Sequence, residues 1–179
     1  MLRAHILPAG ERAIVSEHFA GAYQVKTLDP IEIYGSKINA LLNRAAARDL
    51  YDTASMIAAG LFDAHEEVML RKCVVFYGAI SSKSVNRTFE TDAMDRISRH
   101  VIKTELLPVL QRGDDFNLEA AKKTVKEYLQ RLLVLTEEEK GFLERFENGV
   151  YVPELLFDDP DLLRRIQYHP MALWKTMPR

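Results

Sequence analysis

Five charged residues lie close together in the stretch Asp29–Asp52, which reads DPIEIYGSKINALLNRAAARDLYD: Lys37, Arg44, Arg48, Asp49 and Asp52. Lysine supplies a compact point charge on a flexible stem, and arginine supplies forked donors; both suit a phosphate group. A carboxylate beside them can orient the cation or accept a proton from an attacking hydroxyl. Asp49 and Asp52 are three apart and Arg48 and Asp52 four apart, so these three can share one helical face. The same spacing also fits a plain helical hairpin whose charges pair locally, each pair worth about 0.2–0.5 kcal/mol. In that alternative Lys37 snorkels at the edge of the core. Arg44 is expected at the surface.

Two helices must carry these residues. Asp29 reads as an N-cap, Pro30 as the first helical residue and Glu32 as the second half of a capping box. Ile31, Tyr34, Ile38, Leu41 and Leu42 then recur at spacings of three and four and form one apolar stripe. After the run Ala45–Ala47, a second periodic segment continues through Leu50, Tyr51, Met56 and Ile57.

The run IEIYGSKINALLNRAAARDLYD resembles the lysine and arginine–aspartate motifs of the AbiEii/AbiGii toxin family of nucleotidyltransferases. In that family an E-x-x-x-x-K-x-x-A-L-x-x-R element leads into R-D-L-Y-D. Glu32, Lys37, Ala40, Leu41 and Arg44 fit the first element, and Arg48, Asp49, Leu50, Tyr51 and Asp52 fit the second. VYVPELLF at Val150–Phe157 and HPMALWK at His169–Lys175 also look like the family's C-terminal signature, so the resemblance runs from about Tyr23 to Lys175. It implies nucleotide-binding roles for Lys37 and Arg48, and catalytic roles for Asp49 and Asp52. It further implies Mg²⁺ and a nucleoside triphosphate as cofactors of the intact family enzyme, an RNA or tRNA acceptor, and a cognate antitoxin as partner. If Lys37 and Arg48 share a phosphate site, both should point into one concavity.

One part of the family pattern is missing. Relatives carry a G-[GS] turn followed by a D-x-[DE] strand that holds the divalent metals. No such turn and strand occurs here, because Gly35-Ser36 falls inside the predicted helix with no acidic strand after it. The chain therefore resembles the C-terminal part of the family, and alone it is expected to need no cofactor and to be inactive. A different possibility is a non-enzymatic partner-binding or vestigial helical module.

With 179 residues, 47% apolar and 28% charged, the chain suits one domain with a proper core and no fibrous or disordered character. Net charge is −2, so no global basic field points to nucleic acid. The single cysteine, Cys73, excludes an internal disulfide and reads as a buried thiol in a cytoplasmic protein. The apolar run Cys73–Ile80 is too short to span a bilayer, which needs about 20 residues.

The expected fold is mainly α, a helical bundle-like domain over 29–179 preceded by a small β element over 1–28. Strands are expected at Leu2–Leu7, Ala13–Ser16 and Tyr23–Leu28, with turns at Pro8–Gly10 and Ala20–Gly21. They read as the remnant of a nucleotidyltransferase sheet, whose open edges would recruit a second copy or an N-terminal fragment. Helices are expected at 30–43, 47–60, 63–81, 91–102, 104–112, 117–133, 136–147 and 160–169. Thr136 and Glu139 form a capping box, and Asp159–Pro160 repeats the signal of Asp29–Pro30. Gly60, Gly113 and Gly149 stand where C-cap glycines belong. The helix around Glu66–Ser82 is apolar over much of its circumference and should be central.

The remaining polar residues read as structural. The five histidines, His5, His18, His65, His100 and His169, show no metal-ligand spacing. His169–Pro170 beside Trp174 reads as a packed turn. Lys122, Lys123, Lys126 and Arg131 form a basic stripe on one helix, whose default role is a solvated face.

Overall fold

The computed structural model describes residues 6–7, 10–13, 24–81, 85–110 and 116–177. The fold is mainly α, as expected. Two short strands, β1 (Gly10–Ala13) and β2 (Gln24–Thr27), pair antiparallel with Gly10 opposite Thr27 and Ala13 opposite Gln24. The second strand lies within the expected Tyr23–Leu28. The first departs from expectation: Gly10, read as a turn residue, opens β1, and Ile6–Leu7 form a bend rather than a strand end. The expected strand residues 2–5 and 14–16 lie outside the described residues.

Helix α1 (Pro30–Arg44) starts as its sequence dictates, with Pro30 in the first turn and Asp29 Oδ1 accepting the Ile31 N–H at 2.9 Å. Glu32 does not close a capping box. Its carboxylate is buried and turned away from the cap, where it accepts the Leu7 N–H at 2.8 Å and the Tyr77 hydroxyl. A distant amide and a phenol outcompete the local N–H that the box would have used. Ala45, at a φ of 50°, ends the helix in the left-handed region and turns the chain into α2 (Ala47–Ala58).

Helix α3 (Ala64–Ser81) is the central element, as its apolar circumference predicts. Leu70, the run Cys73–Phe76 and the run Gly78–Ile80 are buried. It packs against α1, against α5 (Leu118–Leu132), against α6 (Glu137–Glu147) and against α8 (Pro170–Thr176). The crossing with α1 is tight: a Cβ built on Gly35 would stand 2.6 Å from the Cys73 Cβ, so only glycine lets the two backbones approach this closely. Burial pushes the Cys73 thiol well above its ordinary pKa, which keeps it a protonated core residue.

The region 91–110 departs most from the sequence expectation of helices at 91–102 and 104–112, whose last two residues lie outside the described ones. It holds a 3₁₀ turn at Asp92–Arg96, then a compound helix. That helix begins as α4 (Arg99–Val101), widens into a π turn at Ile102–Leu106 and tightens into a 3₁₀ turn at Leu107–Val109. Pro108 has no N–H to continue an α-helical ladder, and the chain changes register around it. In the C-terminal part, α7 (Pro160–Ile166) is shorter than expected, and His169–Pro170 opens α8 rather than forming an isolated turn.

The caps at Thr136 and Asp159 match expectation. Thr136 N–H donates to Glu139 Oε2 at 2.9 Å, Glu139 N–H donates to Thr136 Oγ1 at 3.3 Å, and Asp159 Oδ1 accepts from Asp161 and Leu162. Gly60 and Gly149 take φ values of 55° and 78°, while Gly113 lies outside the described residues. Among the described residues no helix is long and apolar enough to cross a membrane.

Candidate functional site

Helices α1 and α2 form an antiparallel hairpin, and Lys37, Arg44, Arg48, Asp49 and Asp52 resolve into two ion pairs and one outlier. Lys37, midway along α1, donates its Nζ to Asp52 Oδ2 across the hairpin. Both side chains keep about a third of their surface in solvent, 36% and 34%. Pairs exposed to this degree contribute only about 0–1 kcal/mol to folding, so the Lys37 ammonium can leave Asp52 for a stronger anion at little cost to the fold.

Arg44 and Asp49 make the second pair across the α1–α2 corner. Arg44 Nε meets Asp49 Oδ2 at 2.8 Å and Arg44 Nη2 meets Asp49 Oδ1 at 2.9 Å, a two-point fork. Asp49 is buried, whereas Arg44 is on the surface as expected. Its guanidinium nonetheless clamps the carboxylate, and the Asp49 hydrogen bond and charge hold it above its ordinary pKa. Arg44 is thus the site residue whose role the spacing alone did not reveal; a partner five positions away across a helix break has no helical periodicity to announce it.

Arg48 is the outlier. Its Nε lies 3.4 Å from the Glu105 carbonyl, so it faces the π turn rather than α1. Lys37 and Asp52 are therefore brought together, and Asp49 is brought to Arg44. Arg48 shares no hydrogen bond with either aspartate. One turn further along α2 the Thr53 hydroxyl donates to the backbone carbonyl of Asp49 at 2.8 Å.

Glu32, another residue of the motif, anchors the N-terminal segment. The Leu7 N–H donates to its Oε2, and Arg165 donates to the carbonyls of Ile6 at 3.2 Å and Leu7 at 2.8 Å. Burial first, then the Glu32 hydrogen bond and charge, raise the Tyr77 hydroxyl's pKa, so Tyr77 remains a proton donor to Glu32. The Ile6 side chain is fully buried beneath this clamp.

The basic stripe of α5 lies largely in solvent, as expected, and two of its cations are paired there. Lys126 meets both Asp95 oxygens at 2.7 and 2.9 Å, and Arg131 forks onto Glu67 at 2.9 and 3.0 Å. Lys122 reaches the Asp95 carbonyl, and Lys123 stays exposed.

A divalent metal does not fit the carboxylates at hand. Among the described residues no three His, Cys, Asp or Glu side chains cluster as a metal would need. Asp49 and Asp52 each hold a cation, and the one D-x-D triplet, Asp159–Asp161, is consumed as a helix cap and a pair with Arg164.

No curated protein and no solved structure matches the chain. A family model, described as nucleotidyl transferase AbiEii toxin of type IV toxin–antitoxin systems, matches residues 1–150. The matched span contains the whole α1–α2 hairpin and its ion pairs, while the chain from Tyr151 onward, most of the C-terminal signature, lies beyond it. On that match the chain belongs to the AbiEii family of nucleotidyltransferase toxins.

Proposed function

We propose that the chain supplies the nucleotide-contacting helical part of a toxin that transfers a nucleotide from a nucleoside triphosphate to an RNA end, with tRNA as the acceptor class. Lys37 contacts the triphosphate, Asp52 holds the ammonium in place until the nucleotide arrives, and Arg48 adds a second phosphate contact by leaving the Glu105 carbonyl, toward which it is turned in the free chain. Asp49 keeps the corner of the hairpin fixed through Arg44. In the transfer, an acceptor hydroxyl attacks the α-phosphorus, the new phosphodiester bond forms and the α–β anhydride bond breaks. Pyrophosphate then leaves, and the hydroxyl proton passes to a carboxylate, for which Asp52 is the more accessible candidate. A cation beside the leaving group is favourable because negative charge builds there.

The meeting of Lys37 with Asp52 across the hairpin, inside the span matched by the family model, is the observation that supports this assignment most. The carboxylate pattern that holds the metals in relatives is absent from the sequence, so the chain by itself is proposed to be inactive and to act with a separate catalytic half. Membership of a type IV toxin–antitoxin family also supports an antitoxin as its regulatory partner.

The test is a transfer assay. Purified chain with Mg²⁺, labelled nucleoside triphosphates and total tRNA is expected to give no labelled RNA. Robust metal-dependent labelling by this chain alone would contradict the proposal that its catalytic carboxylates must come from elsewhere.

A further inference from the structure

A cavity of about 410 Å³ opens where the π turn meets the start of α5, lined among others by Arg99, Lys103, Leu107, Phe116, Asn117 and Glu119. We infer that it binds a single-stranded RNA end, with backbone phosphates on Arg99 and Lys103 and a base against the Phe116 ring. This rests on the transfer function proposed above and deepens it by giving the acceptor a place in the fold.

Four observations converge on this cavity. First, Arg99 and Lys103 are exposed, sit one helical turn apart, and their side chains make no ion pair or hydrogen bond among the described residues. That distinguishes them from Lys126 and Arg131 on α5, which are already neutralised by Asp95 and Glu67. Free cations attract a polyanion and release its counterions; paired ones gain little. Among the described residues of the lining Glu119 is the one carboxylate, set against two cations.

Second, the half-buried Phe116 lines the same cavity. Aromatic stacking beside a basic groove is the sequence-tolerant way of holding unpaired bases. The volume suits one splayed-out nucleotide, which a duplex cannot offer without unpairing.

Third, Lys103 is carried on a π turn, an arrangement rare in helices and concentrated at functional sites. Fourth, the cavity adjoins the α2 motif. Tyr51 packs on Phe116 with ring centroids 5.6 Å apart, and Arg48 reaches the Glu105 carbonyl of the same π turn. An RNA end seated here is one packing layer from the helix that carries Arg48, Asp49 and Asp52.

Fluorescence anisotropy with a short labelled single-stranded RNA, read at several salt concentrations on the full chain, tests this. The double variant Arg99→Gln/Lys103→Gln is expected to bind at least about tenfold more weakly at low salt, and to flatten the slope of log affinity against log salt by about 1.4, two phosphates at about 0.7 each. Phe116→Leu keeps an apolar partner for Tyr51 and is expected to lose about fivefold through the missing stack. Lys123→Gln, an equally exposed cation on α5, should bind as the unaltered chain does. No RNA binding, unaltered binding in the double variant or in Phe116→Leu, or an equal loss in Lys123→Gln would each overturn the assignment. None of the altered residues pairs with Lys37, whose partner is Asp52, so a nucleotide titration monitored at α1 reports separately on the transfer function; its failure leaves the RNA result to stand or fall alone.

Discussion

Replacing Arg71 with alanine is expected to destabilise the protein by about 3–5 kcal/mol, close to half of what a domain of this size ordinarily has. Arg71, on α3, places its Nε 2.9 and 3.0 Å from the two oxygens of Glu139 at the start of α6. The Glu139 side chain is 1% exposed and that of Arg71 17% exposed. Glu139 also closes the capping box with Thr136, so its carboxylate cannot swing out to water without uncapping α6. Without Arg71 a buried negative charge stays fixed in place with no cation, and it must either remain charged at high cost or take up a proton. The midpoint of urea unfolding should fall by an amount matching that loss. A change below about 1 kcal/mol would show that the pair contributes no more than a surface bridge.

Phe76→Ala is expected to cost a comparable amount, about 3–5 kcal/mol. Phe76 is fully buried in the middle of α3, where its ring meets several others. His169 stands edge-on at 5.2 Å, Phe157 at 6.4 Å and Tyr151 at 6.5 Å between ring centres. Those three partners all come from the chain beyond Val150, so one side chain fastens the C-terminal segment to the span shared with the family. Truncation removes the transfer energy of the ring and leaves a cavity that four rigid aromatic neighbours, including Tyr77, cannot readily fill. Thermal unfolding followed by circular dichroism checks this; a loss under about 1.5 kcal/mol would mean that the C-terminal segment is held by other contacts.

What the sequence made legible was governed by local chemistry. The caps at Asp29, Thr136 and Asp159 depend on side chains reaching amides two or three residues away, and all three form. The central place of α3 followed from apolar residues on nearly every side of it. What stayed hidden depends on distant partners. Glu32 looked like half of a capping box, but its carboxylate serves an amide 25 residues before it and a phenol 45 residues after it. The α5 stripe is exposed as expected, but its partners Asp95 and Glu67 lie 31 and 64 residues away and left no local sign.

Helix α8 was missed for a different reason. It is seven residues long, and Met171 and Trp174 are 44% and 58% exposed, which blurs the apolar period that marks a helix. Pro170 in its first turn was the available signal. In the candidate site, the spacing of Arg48, Asp49 and Asp52 suggested one shared face. The backbone instead directs Asp52 to Lys37, Asp49 to Arg44 and Arg48 to the π turn. A helical wheel specifies angles on one helix; which neighbouring helix each angle faces is a property of the packing.

The central claim is that Lys37 and Arg48 contact the phosphates of a nucleotide, and titration of a nucleoside triphosphate into isotope-labelled chain, followed by amide NMR, tests it most directly. The expected result is a saturable set of shifts centred on α1 near Lys37 and on α2 near Arg48. These shifts should weaken about tenfold or more in Lys37→Ala, because a charge-assisted phosphate contact contributes on the order of 1.5–3 kcal/mol. They should persist in Lys123→Ala, whose exposed ammonium lies on α5. An absence of shifts in α1 and α2, or shifts that survive unchanged in Lys37→Ala, would contradict the claim.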